Sequence, residues 1–157
     1  MPTAKLKKFL DEKKVRYVTI DHSPAFTAQE VAASAHIPGQ DMAKTVMVNI
    51  DGEMAMAVLP ASFHIDLQRL RDSLGARTVE LADEMDFADR FPECELGAMP
   101  PFGNLYGMKV YVAEALTKDE KISFNAGTHS QLIQMAYADF ERLAKPQKVD
   151  FTMRSTV

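Results

Sequence analysis

The sequence predicts an α/β fold: a single domain over residues 1–157, with a mixed, mostly antiparallel sheet and flanking helices. Three observations predict it. Helical and strand periodicities alternate along the chain, so helices should cover a sheet. Asp51-Gly52 stands between two apolar-rich runs, the pattern of a two-residue hairpin, which requires antiparallel pairing. At 157 residues and 46% hydrophobic content, the chain can bury one core at the common domain size.

The elements follow in order. Thr3 can cap a helix in which Leu6, Phe9 and Leu10 recur at helical spacing, ending near Lys14. Arg16 to Asp21 reads as a strand. Thr27-Ala28-Gln29-Glu30 has the form of a capping box and predicts a helix to about Ala35, closed off by Pro38-Gly39. Lys44–Ile50 and Glu53–Leu59 form the hairpin. Asp66 then opens a helix carrying Leu67, Leu70 and Leu74, which Gly75 stops. Arg77 to Glu80 is a short strand, and Asp83 begins a helical stretch that Pro92 ends. Met108–Ala113 and Lys121–Asn125 are strands, with a turn at Gly127-Thr128-His129. The segment from Ser130 to Ala144 fits either a helix or a short strand followed by a helix from about Ala138. Pro146 closes it, and Val149 to Thr152 can add an edge strand.

Composition narrows the function classes. The net charge of −4 argues against a protein that coats nucleic acid through a broad basic face, yet leaves room for one that grips a nucleic-acid end. Lys5, Lys7, Lys8, Lys13 and Lys14 form the local exception. The N-terminal stretch lacks an apolar leader core, and no apolar run approaches the ~20 residues of a membrane span, so a cytoplasmic protein is expected. Cys94 is the only cysteine and reads as a packed residue. His22, His36, His64 and His129 are scattered without ligand spacing, and neither a metal nor an organic cofactor is implied. No G-x-S-x-G elbow, H-E-x-x-H, phosphate-binding loop or dinucleotide fingerprint is present.

Three segments stand out. Lys44-Thr45 places a lysine at the start of an apolar strand, where the ordinary reading is a snorkelling end residue. Glu95 to Asn104, ELGAMPPFGN, is a glycine-flanked loop whose two prolines lack N–H donors and fix φ. Asn125-Ala126-Gly127-Thr128-His129 places a glycine at a strand end, where backbone can approach a ligand, and a histidine two residues on.

Together these segments resemble the YbaK/EbsC-type proteins, in order and approximate spacing. That family is similar to the editing domain inserted in bacterial prolyl-tRNA synthetases, and it includes free-standing deacylases of mischarged aminoacyl-tRNA. The resemblance covers about Tyr17 to Lys145 and implies a trans-editing hydrolase for aminoacyl-tRNA carrying a small amino acid. It implies Lys44 as the catalytic residue. It further implies a substrate pocket formed by Thr45, by Gly97, Met99, Pro101, Phe102 and Gly103 of the loop, and by Gly127, Thr128 and His129. His22, just after the first strand, is expected near the same mouth. The family often carries a serine before the second proline, where this chain has Pro100, a departure that bears on amino-acid preference more than on the reaction. The implied partners are the acceptor end of aminoacyl-tRNA and an aminoacyl-tRNA synthetase, with no membrane. The competing reading is a non-catalytic module of the same fold that binds a small ligand or a synthetase.

Overall fold

Asp51 and Gly52 adopt φ of 50° and 85°, the left-handed pair that a tight hairpin demands and that asparagine-like residues and glycine supply most easily. The hairpin they close joins β2 (Ala43–Ile50) to β3 (Glu53–Pro60) in unbroken antiparallel register from Ala43↔Pro60 to Ile50↔Glu53. Asp51 also fixes the next strand, because its Oδ1 accepts from the N–H groups of Arg77 and Thr78 at 2.8 and 2.9 Å. The computed structural model describes residues 4–22, 41–91, 94–95 and 98–154. The cap at Thr3 and the helix expected over 27–35 lie outside them.

The hairpin is the middle of a five-stranded sheet ordered β5-β2-β3-β6-β9, with β5 at Val79–Leu81, β6 at Lys109–Ala113 and β9 at Gln147–Val149. β3, β6 and β9 run parallel, and the remaining pairs are antiparallel, which gives the mixed sheet expected. A three-stranded antiparallel sheet follows the order β1-β8-β7, from β1 (Tyr17–Asp21), β7 (Lys121–Thr128) and β8 (Gln131–Ala136). A small third sheet pairs β4 (Phe63–Ile65) with β10 (Thr152–Arg154).

Four helices are described: α1 (Ala4–Glu12), α2 (Leu67–Leu74), α3 (Glu84–Phe87) and α4 (Tyr137–Ala144). Asp66 caps α2 by accepting from Arg69 N–H at 3.0 Å, and Gly75 ends it at φ 65°. The larger core lies between the sheets, α1 and α4, around Leu6, Leu10, Phe102, Phe124 and Phe140. The smaller core packs Leu70 of α2 against Val48, Ala57 and Leu59 on the other face of the five-stranded sheet.

Of the two readings of Ser130 to Ala144, the structure selects a strand followed by a helix, because the segment enters β8 at the centre of its sheet, between β1 and β7. Two expectations need correction. Gly127 and Thr128 belong to the end of β7 rather than to a turn, with a bulge between Asn125 and Thr128. The single edge strand expected over 149–152 is two short strands, β9 and β10, which serve different sheets. Among the described residues no helix is long and apolar enough to cross a membrane.

Candidate active site

β7 is paired with β8 along one side only, and its other edge organises the site. At one end Ser123 N–H donates to Asp41 O at 3.1 Å, beside a parallel bridge between Met42 and Ser123. Met42 O in turn accepts from Ala61 N–H at 2.7 Å, so the start of β2 is clamped between β7 and the chain leaving β3. At the other end Gly127 O accepts from Glu95 N–H at 2.8 Å, and Gly127 N–H donates to Ala98 O at 2.9 Å. The proline loop is thus tied to the glycine-histidine segment by a reciprocal pair of main-chain bonds. Gly127 sits at φ 96°, which only glycine adopts without strain, so residue type and loop docking are linked there.

The loop is stiff because of its packing as well as its prolines. Phe102 has 0% exposure and meets the rings of Phe9, Phe124 and Phe140 at 5.9, 5.7 and 5.4 Å, all edge-on. A Cβ on Gly103 would fall 2.7 Å from Met108 O and 2.8 Å from Val110 Cγ2. Met99, Pro100 and Pro101 are also buried. Through these contacts Phe102 and Gly103 anchor the loop in the core. The N–H groups of Glu95 and Ala98 are likewise used within the fold, on Gly127 O and Glu95 O. Gly97, expected in the substrate pocket, lies outside the described residues.

Lys44 stands two residues beyond the Met42–Ser123 bridge, half-buried, with Leu59 as its cross-strand neighbour. It makes no ion pair or hydrogen bond among the described residues, and loss of water on burial lowers the pKa of its ammonium. Strand alternation places Thr45 on the opposite face, beside Val58 in the larger core. Lys44 instead shares its face with Asn125, because bridged residues Met42 and Ser123 point to one side and each side chain lies two residues further on.

The histidines meet at the far end of β7. His129 is buried, and its N–H donates to Glu95 Oε2 at 3.4 Å. His22 N–H donates to Ser130 O at 3.0 Å, which carries the end of β1 to the same corner. Thr128 Oγ1 accepts from Ser130 N–H at 3.4 Å and so shapes the turn. The structure therefore gathers the loop, Gly127, Thr128, His129 and His22 around one end of β7, with Lys44 on the strand that leaves β7's edge. Sequence reasoning misses Glu95 and Asn125, although each opens one of the segments it singled out.

A family model for the aminoacyl-tRNA editing domain matches residues 22–143, and the chain belongs to that family. The multifunctional Ser/Thr-tRNA deacylase ProXp-y of Escherichia coli strain K12 is 30% identical over 115 residues, covering 69% of this chain and 68% of that protein. The prolyl-tRNA editing protein ProX of Acetoanaerobium sticklandii is 25% identical over 143 residues, covering 87% of this chain and 86% of its own length. A solved candidate trans-editing enzyme for prolyl-tRNA synthetase superposes with a TM-score of 0.81 over 97% of each chain; at 16% identity this likeness speaks for the fold alone.

Proposed function

We propose that the protein is a trans-editing hydrolase that cleaves the ester bond of mischarged aminoacyl-tRNA carrying a small amino acid. The observation that carries this reading is the docking of the stiff proline loop onto Gly127, on the same β7 edge that the Lys44 strand joins. An aminoacyl ester is already activated, so hydrolysis needs a positioned water and charge stabilisation more than a strong protein nucleophile. Lys44 supplies that charge, to the reacting carbonyl or to the terminal phosphate, and its partial desolvation strengthens the field it exerts. The loop serves as a sieve: a wall anchored by Phe102 yields little, so side-chain size decides admission. Such a second sieve is needed because one methylene is worth only ~1–3 kcal/mol of discrimination at a synthetase.

The substrate engages through its acceptor end, and a synthetase is the proposed source of the mischarged tRNA. The test is a panel of alanyl-, seryl-, threonyl- and cysteinyl-tRNA, with seryl- and threonyl-tRNA first because the relative from Escherichia coli is a Ser/Thr-tRNA deacylase. At least one is expected to be hydrolysed by the wild type and left intact by Lys44→Ala. An unaltered rate in that variant removes Lys44 from the chemistry, and no turnover on any tRNA favours a binding module.

A further inference from the structure

We infer that Asn125 holds the α-ammonium of the aminoacyl group, an assignment that rests on the deacylase reading above. Asn125 Oδ1 is buried and makes no hydrogen bond. An acceptor left in that state costs stability, which a fold tolerates most readily where a ligand completes the bond. Its position gives that bond a direction. Ser123 and Gly127, two residues to either side, spend their main-chain groups on β2 and on the loop, both from the outer edge of β7. By the two-residue period counted from Ser123, ahead of the bulge that follows Asn125, the main chain of Asn125 faces the same edge, in the interval between those partners. Among the described residues no bridge continues from Met42–Ser123 to Lys44 and Asn125, so β2 and β7 are not paired there. Asn125 thus turns its main chain toward this unpaired interval, and by strand alternation its side chain lies on the same face as Lys44.

The chemistry of the two side chains sorts the substrate. Lys44 is cationic and repels an ammonium, so it suits the carbonyl or phosphate end of the ester. A carbonyl oxygen with no donor suits the strongest donor the aminoacyl group carries, its α-ammonium. The site would then read a free amine as well as side-chain size, and it would reject an ester whose nitrogen is acylated.

The experiment compares a mischarged seryl-tRNA with its N-acetylated form, using wild type, Asn125→Ala and Asn125→Asp, with thermal melting to confirm that each variant folds. In parallel, equilibrium binding is measured for seryl-adenosine joined by a non-hydrolysable 3′-amide, with and without the N-acetyl group. Wild type is expected to favour the free amine about ten- to a hundredfold, the worth of a hydrogen bond to a charged group. Asn125→Ala should lose that preference, and Asn125→Asp, which keeps the acceptor oxygen, should preserve it. Preference intact in Asn125→Ala overturns the assignment and moves Asn125 to a ribose hydroxyl or a water. Preference lost equally in Asn125→Asp also overturns it, since the amide nitrogen would then be the working atom. If the wild type turns over no seryl-tRNA yet binds the free-amine analogue preferentially, with loss in Asn125→Ala, the deacylase reading falls and this assignment stands. Equal binding of both analogues by the wild type overturns it directly.

Discussion

A lysine that loses water on folding and gains no carboxylate in return holds its charge against the fold, and Lys44 is in that position. Its lowered pKa means the folded state binds fewer protons than the unfolded state as pH approaches the ordinary lysine value of 10.5. Stability therefore rises with pH through that window. Lys44→Met should remove the burden, raising the melting temperature by a few degrees at neutral pH while ending hydrolysis, a trade expected where function requires an unfavourable group. A calorimetric scan beside the deacylation assay checks both halves, and a lower melting temperature would show that the ammonium is paid for by contacts in the fold. Asp119 makes a second case with the opposite sign. Burial first, and Asp41 second, push its carboxyl from 3.8 up to about 6, and its Oδ2 is buried without a partner. The folded state binds the extra proton between those values, so stability falls as pH rises from 3.8 to about 6. Asp119→Asn should flatten that slope and stabilise the protein above pH 6 by about 1 kcal/mol, because solvent screens much of the ~3 kcal/mol that a two-unit shift represents. Urea denaturation at a series of pH values reads the difference.

At the scale of elements, the proline loop shows how a short segment acquires rigidity from distant parts of the chain. Its prolines restrict φ locally, but its position is set by Phe102 among three aromatic rings and by Gly103 against the backbone of Met108. Gly103→Ala should cost about 1–3 kcal/mol, since the closest atom, Met108 O, is backbone and cannot swing aside. Chemical denaturation measures that loss, and a neutral result would mean that the 103–108 turn can shift. The features legible in the sequence are those whose cause is local. Asp51-Gly52 carries its own turn chemistry, and Asp66 and Gly75 carry the two caps of α2. The features missed depend on partners elsewhere. β4 and β10 exist because they pair with each other, and β7 runs on to Thr128 because Gln131 pairs there beyond a bulge. The Leu132-Ile133 pair fits helix or strand until β1 and β7 flank it, since burial on both faces erases the alternation a half-exposed strand would show.

Across the whole molecule, the site is made by chain crossings that no window of sequence contains: β2 reaches β7 at Ser123, the loop reaches it at Gly127, and β1 brings His22 to Ser130. The residue types at those crossings were legible as motifs, whereas the opposed faces of Lys44 and Thr45 and the unpaired interval at Asn125 are properties of register. The same scale governs how a tRNA is held. A protein of net charge −4 can contact few phosphates, and α1 offers fewer cations than its sequence suggests. Lys5 Nζ donates to Leu105 O at 2.7 Å over the Tyr106 ring, and Lys13 lies over Phe9, so both are engaged with the protein itself. Lys8 and Lys14 remain exposed, and Lys14 lines a concavity of about 1000 Å³ with Arg16, Lys121 and Arg142, beside Asp11 and Asp139, where Arg142 pairs with Asp139 at 3.3 Å. If α1 and this surface meet about two or three phosphates, counterion release predicts a roughly ten- to fortyfold loss of tRNA affinity between ~50 and ~200 mM salt. Charge reversal at both Lys8 and Lys14 should weaken binding of uncharged tRNA and reduce the steepness of that salt dependence by about two contacts. Hydrolysis of a seryl-adenosine ester lacking the tRNA body should be unchanged in the same variant, because such an ester carries no tRNA backbone for these lysines to contact. A salt slope identical to wild type would take α1 out of tRNA binding and leave the contact to the acceptor end alone.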